Sequence, residues 1–327
     1  MRIIENTRVL VTGGAGFIGS NIIDALLQQN NEVICLDNFS TGKRENISHH
    51  LSNPKFTLIE GDIRELDQCR KATDAVEIIL HQAALGSVPR SINDPLTSNE
   101  VNVSGFLNIL MAAKEAGVRR VVYAASSSTY GDSEELPKVE ERIGKPLSPY
   151  AVTKYVNELY ADVFSKVYGM ELIGLRYFNV FGPRQDPNGA YAAVIPLFVK
   201  ALMNKQSPRI NGDGSYSRDF TYVANVVQAN QLAALTNLPE AINTVYNVAC
   251  GSRISLNELV IVTRDLLSDY DEEIKEVVPE YGSVRAGDVP HSLASIEKAE
   301  KLLGYKPTHQ FADGLKDAIS WYWNNLK

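Results

Sequence analysis

Cysteine is scarce: the 327 residues hold three, Cys35, Cys69 and Cys250. They are far apart, odd in number and in no CxxC pair, which argues against a disulfide framework and against a zinc site built on thiolates. Histidine is thin as well. Of five, His49 and His50 are adjacent and the rest scattered, with no HExxH and no two on one helix face, so no metal is expected. No stretch approaches the ~20 apolar residues of a membrane span. The opening "MRIIENTRVLVTGG" runs almost at once into a strand and carries no signal-peptide pattern, so the cytoplasm is the expected compartment and no membrane partner is expected. Lysine and arginine form no run that would track a phosphate backbone, and the formal charge is -7, which makes nucleic acid an unexpected partner. A local basic pocket for one anionic metabolite is compatible with that charge.

What remains is an ordinary soluble composition, 44% hydrophobic and 22% charged, with enough chain for one large α/β domain or two smaller ones. "TRVLVTGGAGFIGSNIIDALLQQNNEVICLDN" reads as apolar run, glycine-rich turn, amphipathic stretch and second apolar run: one βαβ unit. The alternation continues through "KFTLIEGDI", a polar helix near Glu65 to Lys71, "VEIILHQAA", a long helix near Thr97 to Ala116, and "VRRVVYAASSSTYGD". Repeated βα order with continuous apolar strands predicts a Rossmann-type, doubly wound parallel sheet covered on both faces. After "MELIGLRYFNVFGPRQDP" the order loosens: helices near Val194 to Asn204 and Val223 to Leu235, a strand at "VYNVA", then mostly helical sequence. The expected organisation is a sheet domain over residues 1–178, with 220–250 returning to it, and a smaller, mostly helical second domain over 179–327. There is no internal repeat and no low-complexity tract.

"TGGAGFIG" sets Gly13, Gly16 and Gly19 between a strand and a helix. Backbone approaches a pyrophosphate only where no Cβ intervenes, and a helix N-terminus offers free N–H groups and partial positive charge. Glycines used only for a tight turn would look the same. Asp37 separates the two: it ends the second strand roughly 20 residues on, where an acid hydrogen-bonds an adenosine ribose hydroxyl. An aspartate there repels a 2′-phosphate, so NAD is expected over NADP, although Lys43 and Arg44 follow closely. Asp62, in "EGDI", suits either an adenine contact or plain turn chemistry.

"SPYAVTK" has Ser148 as N-cap and Pro149 at the first helical position, so the helix starts at a fixed point. Tyr150 and Lys154 then share one face, about 6 Å apart along the axis. A phenol near pKa 10 is a poor base at neutral pH, and the pair makes chemical sense beside an oxidised, positively charged cofactor. YxxxK alone is common in solvated helices. Its setting matters more: it follows a glycine-rich dinucleotide turn and a strand that runs into Ser126, Ser127 and Ser128, at the strand end facing the cofactor cleft.

At this point the chain resembles the extended short-chain dehydrogenase/reductases, and among them the UDP-hexose 4-epimerases. "TGGAGFIGS", "LDNFSTGKR", "EGDIR", "SSSTYGD", "SPYAVTK", "LRYFNVFGPRQDP", "SRDFTYV" and "RAGDVPHS" appear in family order. The resemblance implies Ser126 as catalytic serine, Tyr150 as base and Lys154 on the nicotinamide ribose. It further implies Phe17 and Ile18 beside the glycines, Asn38, Ser40 and Gly42 with Asp37 around the adenosine, and Asp62 and Ile63 at the adenine. Gln82, Ala83 and Ala84 would run past NAD, with Tyr177 near the nicotinamide. The nucleotide sugar would meet Asn179, Ala193, Val194, Arg209, Asn211, Arg218, Arg285 and Asp288. Arg218 and Arg285 are fork-shaped donors suited to a diphosphate. Ser127 and Ser128 would line the substrate; Ser128 stands where related 4,6-dehydratases carry an acid, which disfavours elimination of water.

"ALGSVPRSINDP" resembles the subgroup acting on N-acetylated sugars, with Gly86 and Ser87 beside the hexose and the small Ser292 leaving room for an acetamido group. The expected activity is NAD-dependent interconversion of UDP-N-acetylglucosamine and UDP-N-acetylgalactosamine, extending to UDP-glucose and UDP-galactose. Two alternatives stay open: a 4-epimerase or decarboxylase of a UDP-hexuronic acid, for which an Arg184 aimed at a sugar carboxylate would speak, and a non-catalytic NAD-binding regulator. As in relatives, helices near Val101 to Ala113 and Ala151 to Val167 would pair across a two-fold axis in a homodimer.

Overall fold

A computed structural model describes residues 2–188, 192–284 and 289–326. Its central sheet takes the apolar runs as strands: β1 (Arg8–Thr12), β2 (Glu32–Asp37), β3 (Phe56–Glu60), β4 (Ile78–His81), β5 (Arg120–Ser126) and β6 (Glu171–Tyr177). A seventh strand, Thr244–Val248, joins β6, and all pairings in this sheet are parallel. The spatial order is β3, β2, β1, β4, β5, β6 and then Thr244–Val248. Strand order reverses between β1 and β4, and that switch opens the crevice where ligands settle in doubly wound sheets.

The side chains explain why the sheet is double-faced. Val9, Val11, Cys35, Ile78, Leu80 and Val122 are buried on one face with Ile22, Ile23 and Leu26 of the helix Phe17–Gln28. Leu10, Ile34, Ile79, Val121 and Leu172 are buried on the other with Phe106, Ile109 and Leu110 of Gly105–Ala116. Each strand therefore needs apolar residues at successive positions, the uninterrupted runs of the sequence. The helix Val223–Leu235 packs into the first of these cores through Val226, Ala229 and Leu232, and so do Ala299, Leu303 and Tyr305 from nearer the C-terminus. A separate apolar cluster joins Phe181, Phe198, Ile210, Phe220, Leu259, Leu315 and Tyr322.

Local sequence accounts for the helix starts nearest the cleft. Ser148 Oγ accepts from Ala151 N at 3.2 Å ahead of the helix Pro149–Tyr168, with Pro149 at its first position. The expected long helix near Thr97 to Ala116 is instead three joined pieces. Pro95–Asn99 begins under an Asp94 cap, a π turn occupies Glu100–Ser104, and Gly105–Ala116 completes it. Such π turns gather at functional sites. Here a Cβ on Gly105 would stand 2.6 Å from the Ile63 side chain, which would have to shift to admit it.

Gly19 is the tightest point of the dinucleotide turn: a Cβ there would lie 2.2 Å from the Gly13 carbonyl. Gly19→Ala is therefore expected to cost about 1–3 kcal/mol through overpacking. A fall in the chemical-denaturation midpoint of the NAD-free protein measures it.

Candidate active site

Three adjoining cavities lie at the C-terminal ends of the strands. The first, ≈ 480 Å³, is lined by Gly13, Gly16, Phe17, Ile18, Gly19, Asp37, Asn38, Ser40, Asp62, Ile63, Gln82, Ala83, Ala84, Tyr150, Lys154 and Tyr177. These are the expected cofactor residues except Gly42, which is not in that wall. Gly42 packs against Ala15 and Asp37, where a Cβ would come within 2.9 Å, and lets Lys43 N reach the Ala15 carbonyl at 3.0 Å.

The glycines divide their work. Gly13 takes φ +66° and packs on Ala83, while Gly19 packs the helix onto the turn. Gly16 differs: a Cβ there would meet only the Gly13 carbonyl, at 3.1 Å, so its bare backbone faces open space at the helix N-terminus. That is the cradle a pyrophosphate requires. Asp37 is buried, and its carboxylate accepts from Ala15 N at 2.9 Å and Phe39 N at 2.8 Å, while burial pushes its pKa up. The cations that follow it are engaged elsewhere. Lys43 pairs with Asp186 at 2.9 Å, and Arg44 pairs with Glu60 and stacks on Phe39. Asp62 is both turn and wall: its Oδ1 accepts from Arg64 N at 2.9 Å, its Oδ2 holds Asn38, and Arg64 lowers its pKa.

Ser126, Ser127, Tyr150, Asn179 and Gly86 belong to the cofactor cavity and also to a second, ≈ 800 Å³, completed by Ser87, Ser128, Ala193, Arg218 and Ser292. A third, ≈ 510 Å³, shares Asn179, Ala193 and Arg218 with the second and adds Val194, Arg209 and Asn211. The expected substrate residues thus fall along one continuous path, apart from Arg285 and Asp288, which lie outside the described residues. Arg218 is held at the junction by the carbonyls of Ser217 at 2.9 Å and Pro290 at 3.0 Å.

Where the first two cavities meet, Lys154 donates to the Ala124 carbonyl at 2.8 Å, and burial brings its pKa down to about 8. Burial pushes the Tyr150 phenol up, against a hydrogen bond with Ser126 that lowers it. Ser126 Oγ accepts from Ser128 N at 3.1 Å and Ser128 Oγ at 2.9 Å, which leaves its own proton free to point at Tyr150 or a substrate oxygen. Behind the ammonium, burial and the Lys154 charge hold His81 down to about 3, so this imidazole is neutral.

Several positioning residues carry no sequence signature. Asn102, in the π turn, accepts from Leu85 N at 2.7 Å and donates to Thr153 Oγ1 at 3.1 Å, joining the loop after β4 to the Tyr150 helix. Ser91 Oγ accepts from Tyr150 N at 3.0 Å. Asn230 donates to Tyr177 Oη at 2.9 Å and Tyr177 donates to Gln82 at 3.1 Å, fixing this ring in the wall of the first cavity.

A glycine cradle, an acid ending the second strand and a Ser–Tyr–Lys cluster at the ends of parallel strands define a short-chain dehydrogenase/reductase of the extended type. The NAD dependent epimerase/dehydratase family matches residues 9–249, and the chain belongs to it. NAD, when bound, supplies reversible hydride acceptance. A putative UDP-glucose 4-epimerase of Methanocaldococcus jannaschii is 39% identical over 97% of this chain and 99% of its own. The solved UDP-N-acetylglucosamine 4-epimerase of Methanobrevibacter ruminantium, in complex with UDP-N-acetylmuramic acid, is 39% identical with a TM-score of 0.90, covering 98% of this chain and 99% of that one. The UDP-glucose 4-epimerase of Thermus thermophilus, in complex with NAD, is 32% identical with a TM-score of 0.85, over 97% and 99%.

Because burial holds Lys154 near 8 in the folded protein against about 10.4 for a free lysine, the unfolded chain binds the extra proton between those values. Stability contributed by this site therefore rises with pH across that window. A Lys154→Met variant, lacking the titration, is expected to lose ground to the parent as pH climbs from 8 towards 10, measured by urea unfolding of the NAD-free proteins.

Proposed function

We propose that the protein epimerises a UDP-hexose at C4. UDP-N-acetylglucosamine and UDP-N-acetylgalactosamine are its main pair, and UDP-glucose and UDP-galactose smaller alternates. The observation that carries this reading is the wall shared by the first two cavities, where Tyr150, Ser126 and the nearby Lys154 stand between cofactor space and sugar space. The activities of the relatives at 39% identity point the same way.

In this reading Tyr150 accepts the O4 proton, directly or through Ser126, as hydride leaves C4. Burial raises the pKa of this phenol, and a positive nicotinamide beside the Lys154 ammonium would favour the phenolate. The 4-keto sugar, anchored by its diphosphate near Arg218, turns over and takes the hydride on its other face, with Tyr150 returning the proton. A Cβ on Gly86 would have nothing within 4 Å, so the sugar space is open on that side. No net redox occurs, and NAD stays bound through turnover.

Two features bear on the sugar. Ser292, small and in the wall of the second cavity, leaves volume for an acetamido group. Arg184 is committed elsewhere: it pairs with Asp24 and donates to the Asn46 carbonyl at 3.0 Å, so it does not serve a uronic carboxylate. Ser128, a hydroxyl rather than an acid, fits epimerisation and not dehydration.

We take residues 1–178 with 220–250 as the NAD-binding unit and 179–327 as the nucleotide-sugar unit. Val152, Leu159, Val163 and Val167 form an exposed apolar stripe on the helix Pro149–Tyr168. That stripe suits a homodimer joined along this helix and Gly105–Ala116.

Tyr150→Phe is expected to abolish turnover while NAD content stays at the parent level. Substantial epimerisation of every sugar by that variant sinks the assignment. Ser292→Tyr is expected to cut kcat/KM for UDP-N-acetylglucosamine at least about tenfold more than for UDP-glucose. NMR of the products from UDP-N-acetylglucosamine, UDP-glucose and their two uronic acids reads both effects.

A further inference from the structure

The chain's two adjacent histidines are not idle surface residues. Asp24, on the helix Phe17–Gln28, directs Oδ1 at both: His49 Nε2 stands 3.0 Å from it and His50 Nε2 2.6 Å. The two imidazoles are neighbours in a 3-10 turn, Ser48–His50, with ring centroids 3.9 Å apart. One oxygen and two nitrogens, all within 4.8 Å of one another, therefore converge from two elements on one point. Among the described residues this is the one cluster of that kind.

We propose that Asp24, His49 and His50 form a binding site for a divalent transition-metal ion of the zinc, cobalt or nickel type. Two neutral imidazoles and one carboxylate oxygen are a donor set of borderline softness, which suits these ions and not magnesium or calcium. Tetrahedral bonds of about 2.0–2.1 Å separate ligand atoms by about 3.3 Å. The two nitrogens therefore need to draw back from Oδ1 by well under an ångström. Each ring then carries its proton on Nδ1 and offers the Nε2 lone pair. His49 and Asp24 also line an open surface cavity, through which water reaches the remaining coordination position.

The carboxylate is already oriented from behind. Its other oxygen, Oδ2, is bound by Arg184, and Arg184 is itself fixed by the Asn46 carbonyl at 3.0 Å. Partners of this outer kind hold a ligand in place and strengthen selectivity for one geometry. The arginine also offsets the carboxylate charge, so the affinity belongs in the micromolar range. Sequence spacing conceals the site because Asp24 lies twenty-five and twenty-six residues before the histidines.

The test uses the untagged, full-length protein with its NAD, titrated with zinc chloride by calorimetry and with cobalt chloride by visible absorption at pH 7.5. One ion per chain is expected, with cobalt bands intense enough to indicate four- or five-coordination. His49→Ala and His50→Ala are each expected to weaken zinc binding at least about tenfold, and their NAD content reports that they are folded. No stoichiometric binding tighter than about 100 μM, a poor affinity for a set of this kind, overturns the proposal. So does undiminished binding by the double variant, which would locate the ion elsewhere.

Discussion

The Lys154 ammonium donates to the Ala124 carbonyl at 2.8 Å, and that bond joins the helix Pro149–Tyr168 to the end of β5. It constrains most of the reaction centre. Tyr150, one turn earlier on the same face, is set against Ser126, two residues further along the strand. A buried ammonium is costly, and a single carbonyl satisfies only one of its three N–H groups. Lys154 also lines the first cavity, where hydroxyl oxygens of a bound dinucleotide would be suitable acceptors. The cost of burial is visible as the lowered pKa of the ammonium, about 8.

Around that bond the fold supplies alignment rather than chemistry. The Ser148 cap fixes where the helix begins, Ser91 receives the Tyr150 N–H, and Asn102 links the loop after β4 to the same helix through Thr153. The π turn that holds Asn102 rotates that side chain inward without ending the long helix. Hydride and proton must leave neighbouring atoms of one sugar, so the loop and the helix have to keep a fixed relation, and two polar bridges between them achieve it.

Much of this was legible in the sequence because it is local. The apolar runs, the glycine turn, Asp37 at the end of β2 and the capped YxxxK helix each depend on residues within a few positions of one another. Asn230 behind Tyr177, the Ala124 carbonyl under Lys154 and Asp24 beneath the two histidines depend on approaches across the fold. A backbone carbonyl has no residue type to read, and asparagine is as common in turns as in buried bridges. Gly42 shows a second use of a motif glycine: a close approach to Ala15 also requires it. The π turn within the Thr97–Ala116 helix escaped for a related reason, since it is defined by backbone hydrogen bonds that no residue type announces.

The two cations after the adenosine acid have a consequence for how cofactor choice could drift. Lys43 and Arg44 follow Asp37 closely in the chain, and Asp186 and Glu60 hold them in ion pairs. Of these three carboxylates only Asp37 lines the first cavity, while the other two keep the cations paired. Exchange of Asp186 and Glu60 for neutral residues would free both cations without altering the glycine turn. The charge around that acid can thus change while the fold stays as it is.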